Sequence, residues 1–157
     1  MGNEPPSVAV PLYFEDMRPG ACWQTAARTV TEADIVNFSG VSGDYNWMHI
    51  DEQAAAESSF GGRIAHGLLV LSMATGLRMQ SGLFNGTVIA FLGIEEWRFA
   101  APVHIGDTIH VSVEIESRRE TSTAGRGIVR QRVAVINQRG ETVQTGVFVT
   151  MIKRRSS

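Results

Sequence analysis

The stretch Ser42-Gly43-Asp44-Tyr45-Asn46-Trp47-Met48-His49-Ile50-Asp51 places a carboxylate and an imidazole five positions apart. That separation is wrong for one face of a helix, where neighbours stand three or four apart. In a curled, glycine-led loop Asp44 and His49 can instead converge on one point, and the pair is the minimal equipment for moving protons on and off a bound water. The same residues admit a structural reading. Asp44 would cap a turn, Asn46 would form an Asx-turn and His49 would be a satisfied, partly buried histidine. Spacing alone leaves both open.

Gly61-Gly62-Arg63-Ile64-Ala65-His66-Gly67 is the second informative stretch, because it leads into a strongly apolar helical pattern and so sets Gly67 near a helix N-terminus. Backbone N–H groups there lack helical partners and can hold a developing oxyanion, and glycine lets a ligand approach closely. The structural alternative is a sharp turn followed by tight packing through a missing side chain. His66 is expected to make a structural hydrogen bond to the loop, and His104 and His110 to have no chemical part. A metal site built from His49, His66 and Asp51 matches no metal-ligand spacing, so none is expected.

These residues need elements to hold them. Thr31, with Asp34 three positions on, predicts a capped helix carrying Ile35, Phe38 and Ser39 inward and ending at Gly40. Val41 to Ala65 is irregular, apart from a small helix with Asp51 as N-cap through Ala56. From Ala65 to Leu83 apolar residues cover nearly every side of a helix, which predicts burial all round. A first strand is expected within Ala21 to Val30, and four more at Thr87 to Phe99, Thr108 to Arg119, Gly127 to Asn137 and Thr142 to Lys153. The run at 108–119 alternates, with Ile109, Val111, Val113 and Ile115 on one side. Asn137-Gln138-Arg139-Gly140 reads as the turn of a hairpin. One long apolar helix followed by a meander of strands implies an α+β fold, an antiparallel sheet wrapped around a central helix.

Composition narrows the possible functions. The 157 residues, 43% apolar and 19% charged, fit one folded domain rather than a disordered tail. A net charge of −2 gives no global attraction to a phosphate backbone, so no nucleic-acid partner is expected. Cys22 is the single cysteine, which excludes an intrachain disulfide and fits a reducing, cytoplasmic setting. The most apolar uncharged run, Leu68 to Leu77, is about half the roughly 20 residues a membrane span needs. Residues 1–11 do not look like a secretory signal and are expected to be a flexible tail, leaving 12–154 as the domain.

The run from Phe38 to Ala54, Phe-Ser-Gly-Val-Ser-Gly-Asp-Tyr-Asn-Trp-Met-His with a small residue further on, resembles the signature of MaoC-like dehydratases and (R)-specific enoyl-CoA hydratases of hot dog fold. Arg63 to Gly67 is similar to that family's helix-entry motif, and Arg98 to Thr108 resembles its later connection F-x-x-P-V-x-x-G-D. The resemblance implies addition of water to a trans-2-enoyl-CoA, or its removal from a 3-hydroxyacyl-CoA, with no metal or organic cofactor. It gives Asp44 and His49 the acid/base role and Gly67 an amide for the thioester oxygen. Asn46 would shape the loop, and Thr75 would be a hydroxyl close to the dyad. It also implies at least a homodimer, with pockets near its interface. The family usually has proline after the asparagine. Trp47 stands there and cannot fix φ, so packing of its indole is expected to hold the loop and to reshape the acyl pocket. Some of Arg118, Arg119, Arg126, Arg130, Arg132, Lys153, Arg154 and Arg155 are expected to meet CoA phosphates. A hot dog thioesterase and a non-catalytic acyl-CoA-binding protein are the alternatives.

Overall fold

A computed structural model describes residues 10–155, so most of the expected 1–11 tail lies outside the described residues. After a short 3-10 turn at Phe14–Asp16 come β1 (Cys22–Gln24), β2 (Arg28–Thr29), α1 (Glu32–Ser42), α2 (Trp47–Ile50), α3 (Glu52–Glu57) and α4 (Gly67–Gln80). The long strands β3 (Val88–Phe99), β4 (Thr108–Glu120), β5 (Arg126–Asn137) and β6 (Thr142–Lys153) complete the chain. The strands form one antiparallel sheet in the order β1-β4-β5-β6-β3, with β2 also on β4.

Alternation builds the core. Ile109, Val111, Val113 and Ile115 of β4 are at most 1% exposed, and Val129, Val133 and Val135 of β5 are fully buried. Leu69, Val70, Met73, Ala74 and Leu77 of α4 pack onto that face with Val143 and Phe148 of β6. Each such aliphatic side chain contributes about 1.5–3 kcal/mol by leaving water. The expectation that α4 is buried all round holds for only part of its surface. Leu68 is 58% and Met79 40% exposed, each lining a cavity beside the β3 edge of the sheet.

The capping box at Thr31 is present with Asp in the usual Glu position. Asp34 N–H donates to Thr31 Oγ1 at 3.3 Å, and Thr31 N–H donates to Asp34 Oδ2 at 2.9 Å. The helix does not stop at Gly40. It runs to Ser42, and Gly43 ends it with φ +74°, the left-handed conformation that favours glycine. Asp51 caps α3 as expected, accepting from Gln53 and Ala54 N–H. The single first strand is broken in two. Thr25 lies between the pieces, and its Oγ1 takes the Val111 N–H at 3.0 Å.

The 102–107 connection ties the sheet to the loops. Asp107, 5% exposed, accepts from His104 N–H at 2.9 Å, Gln138 Nε2 at 2.6 Å and Arg139 Nη1 at 3.0 Å. It therefore joins the β5–β6 hairpin to the turn before β4. That turn in turn holds the chain leading into α4, through Ala65 N–H to Val103 C=O at 2.7 Å and an isolated bridge between Ile64 and His104.

Burial would raise the Asp107 pKa above its ordinary value of 3.8, but hydrogen bonds from Gln138, the His104 N–H and Arg139 outweigh it and hold the carboxyl below that value. The folded state thus binds this proton less readily than the unfolded chain. The stabilisation is complete above the unfolded value and is lost as pH falls through the lower folded one. Asp107→Asn should cost about 1.5–3 kcal/mol at neutral pH. It should also flatten the acid limb of stability against pH below about 4, measured by urea denaturation; an unchanged acid limb would show that Asp107 does not supply it.

Candidate functional site

The loop after α1 is shaped by its own short polar side chains. Ser42 Oγ donates to Phe38 C=O at 2.7 Å and accepts the Asp44 N–H at 3.1 Å. Asp44 Oδ1 accepts the Asn46 N–H at 3.1 Å, an Asx-turn centred on Asp44 rather than on Asn46. Within α2 the His49 N–H bonds to Asn46 C=O at 2.9 Å. These bonds turn the chain back on itself. Asp44 Oδ2, which makes no other hydrogen bond among the described residues, faces His49 Nε2 at 4.0 Å.

His49 is buried, and its Nδ1 stands 2.8 Å from Ile64 C=O. A carbonyl only accepts, so Nδ1 carries a proton, and in the neutral form of the ring Nε2 is the nitrogen left bare toward Asp44. A water bonded at about 2.8 Å to both atoms would subtend an angle of about 90° between them, which one water accepts readily. Asp44 has a side chain 53% exposed, whereas that of His49 is 8% exposed, so water reaches the pair from the carboxylate side.

His66 stacks on His49, with ring centroids 3.7 Å apart and planes 25° from parallel. Its Nε2 donates to Asp44 C=O at 3.0 Å and lies 3.3 Å from Ser39 Oγ, which bears out the expected structural bond to the loop. Donor atoms of Asp44, His49 and His66 lie within 4.8 Å of one another. The His66 Nε2 proton, however, goes to the Asp44 carbonyl, so that nitrogen presents no lone pair to an ion there. Asp51, the third ligand weighed from sequence, is occupied in capping α3.

The N-terminus of α4 completes the site. Its first helical bond runs from Val70 N–H to His66 C=O, and His66 makes no side-chain cap, so the N–H groups of Gly67, Leu68 and Leu69 have no helical partner. Gly67 and His49 line one cavity of about 300 Å³ with Met48, Phe99 and Gln144. A Cβ on Gly67 would stand 2.6 Å from the Phe99 ring. Glycine is therefore needed for packing here and also leaves the amides uncovered. Gln144 fixes this turn: its Nε2 donates to Gly67 C=O at 3.0 Å while its Oε1 accepts from Trp97 Nε1 at 3.1 Å.

Three sequence expectations end elsewhere. Thr75 is two turns further along α4, bonded to Ser72 C=O and lining a separate cavity, so within one chain its hydroxyl does not join the dyad. The Asn46 side chain makes no hydrogen bond among the described residues, and its backbone does the shaping. Trp47 is 44% exposed at the first position of α2 and lines no part of the Gly67 cavity, so hydrogen bonds hold the loop instead of indole packing. Four of the eight residues of the basic cluster are held in ion pairs. Arg130 pairs with Glu95 and Glu116, Arg132 with Glu116, Arg154 with Glu15 and Glu120, and Arg155 with Asp16. Gln144 and Phe99 were missed. A glutamine inside Thr-Val-Gln-Thr-Gly-Val-Phe-Val was the one available sign.

Residues 17–137 match the model of the MaoC-like domain. Protein MaoC of Klebsiella aerogenes is 50% identical over 99 residues, which are 63% of this chain and 29% of that longer protein. An (R)-specific enoyl-CoA hydratase of Rhodospirillum rubrum is 36% identical over 106 residues, 66% of this chain and 69% of the relative. Among solved structures, a monoamine oxidase regulatory protein of Archaeoglobus fulgidus superposes with a TM-score of 0.85 at 39% identity, over 93% of this chain and 97% of that one. A double hot dog protein of Mycobacterium tuberculosis, 23% identical, shares the fold with a TM-score of 0.82 over 94% of this chain and 46% of its own.

Removing the His66 ring leaves the buried Ser39 hydroxyl and the Asp44 carbonyl without their partner. His66→Ala should therefore cost about 1–3 kcal/mol in urea denaturation, and a change below about 0.5 kcal/mol, the range of ordinary surface substitutions, would show that this ring does not anchor the loop.

Proposed function

The chain belongs to the MaoC-like dehydratase family, and from that premise we propose that it adds water to a trans-2-enoyl-CoA, or removes it from the (R)-3-hydroxyacyl-CoA. One observation carries the reading: His49 Nε2 stands 4.0 Å from the unengaged Asp44 Oδ2, and His49 lines the same cavity as Gly67 at the start of α4. Relatives named hydratase and dehydratase support it.

In hydration, a water gripped between Asp44 and His49 gives its oxygen to C3, the pair takes up one of the water's protons, and a proton returns from the pair to C2. Negative charge passes through the thioester oxygen between those events, where the Gly67 N–H would meet it. One such donor is worth roughly 2.7–4 kcal/mol. No proton is left over, so neither residue is consumed. The Ile64 carbonyl keeps His49 in the tautomer that begins hydration, and the stacked His66 keeps its ring plane fixed.

The open edge of the sheet is part of the same proposal. Ile89, Phe91, Leu92 and Ile94 of β3 are each 38–46% exposed along a strand paired on one side only. A long apolar edge of this kind is a template for another strand, and a second copy of the chain is the occupant that covers it symmetrically.

With crotonyl-CoA, loss of enoyl absorbance should be observed without release of free thiol. Asp44→Asn and His49→Ala should each lower kcat/KM by about 10²- to 10⁴-fold with an unchanged circular dichroism spectrum. Thiol release without enoyl loss would instead make the protein a thioesterase. Light scattering should give twice the chain mass of 17.1 kDa or a multiple of that; a monomer at micromolar concentration would refute the proposed edge pairing.

A further inference from the structure

Arg78, in the last turn of α4, is 3% exposed. Its Nε donates to Gln131 Oε1 at 3.0 Å and its Nη2 to Thr150 Oγ1 at 3.3 Å, and its guanidinium lies 4.1 Å above the centre of the Phe84 ring. Both polar partners are neutral and fully buried. Among the described residues no carboxylate pairs with Arg78, and Nη1 makes no hydrogen bond. The contrast with Arg63 and Arg130, each held by two carboxylates, is sharp. Burial pushes the Arg78 pKa down to about 10, so the group remains a cation at neutral pH. A buried charge without a counter-charge costs several kcal/mol, and a chain with 16 acidic residues has placed none of those described beside it.

The same residue lines a cavity of about 260 Å³ with Thr75, Met79, Val88 and Phe91. Apart from the Thr75 hydroxyl and the guanidinium, that lining is apolar. An apolar chamber with one planar, cationic end suits a molecule with a hydrocarbon body and a carboxylate head, because the guanidinium fork matches a carboxylate in geometry as well as charge. We propose that this cavity is a subsite for a carboxylate, with the anionic head on the free Nη1 end of Arg78 and the body against Met79, Val88 and Phe91.

The carboxylate could come from two sources. It could be the far end of an acyl group whose thioester lies at Gly67, a version that rests on the hydratase reading above. Arg78 is eleven residues beyond Gly67, about 16 Å along the helix axis, so within one chain only a long acyl group spans the two. Alternatively it could be a free small acid, a version independent of that reading.

Two binding measurements separate these sources without needing turnover. Butyrate is titrated against butyramide, its uncharged analogue, following thermal stability. In parallel, calorimetry compares saturated acyl-CoAs of four to twelve carbons that end in a methyl or in a carboxylate. A free-acid site gives a saturable rise in Tm with butyrate and none with butyramide. An acyl-end site gives at least tenfold tighter binding of the carboxylate-ended thioester at one length or more. In either case Arg78→Met should abolish the effect, and Arg78→Lys, which keeps the charge without the fork, should retain part of it. The wild-type titrations decide by themselves if Arg78→Met does not fold. Butyrate and butyramide behaving alike, together with less than threefold preference at every length, would overturn the subsite. Carboxylate binding without hydration of either crotonyl-CoA or a twelve-carbon, carboxylate-ended trans-2-enoyl-CoA would uphold it and reject the hydratase reading.

Discussion

The hydrogen bond from His49 Nδ1–H to Ile64 C=O, 2.8 Å long, is the interaction on which the site depends. It consumes the one proton that a neutral imidazole carries and so decides which nitrogen is bare. Were the acceptor absent, Nδ1 and Nε2 would be nearly equivalent places for that proton, and the ring would face Asp44 in two protonation patterns. The carbonyl that makes this choice is itself held by other parts of the fold. Ile64 bridges to His104, the neighbouring Ala65 N–H bonds to Val103, and Asp107 ties that turn to the β5–β6 hairpin. A tautomer in one loop is thus set by a buried carboxylate at the start of β4.

The structural and chemical readings of the loop residues are not rivals. Asp44 spends Oδ1 on an Asx-turn and keeps Oδ2 toward His49. Gly67 lacks a side chain because Phe99 occupies the space, and for the same reason leaves its amides uncovered. A carboxylate has two oxygens and an imidazole two nitrogens, so each can serve the fold with one atom and remain available for chemistry with the other. Rigidity and reactivity come from the same contacts, which is how a site built largely on loops gains a fixed geometry.

The apolar edge at β3 and the cation at Arg78 lie close together, since Val88 and Phe91 of β3 line the Arg78 cavity. The helix that supplies amides at one end supplies an uncompensated charge near the other. Its exposed side, Leu68 and Met79, lies between sheet and solvent. The molecule therefore sets a run of uncovered apolar residues and a buried cation without a counter-charge side by side at α4 and the strand edge, whereas Arg130 and Arg132, out on the sheet, are each paired with a carboxylate.

What the sequence by itself determined is whatever neighbours along the chain can specify. The alternation of Ile109 to Ile115 made a strand, Thr31 and Asp34 made a cap, Asp51 started a helix, and Gly43, Asp44 and His49 stood within reach of one another. Where local signals competed, the reading failed. Gly40 looked like a helix end, but its backbone is compatible with helical dihedrals, and Gly43 is the residue that takes a positive φ. Tertiary structure alone decided the partners that come from far along the chain: Ile64 for the His49 proton, His66 for the Asp44 carbonyl, Gln144 for the Gly67 turn and Gln131 for Arg78. These pairs are 15 to 77 residues apart. No periodicity or spacing encodes them, because a hydrogen bond depends on distance and direction in space, and only the packing of α4 against the sheet brings those atoms within 3 Å or so of each other.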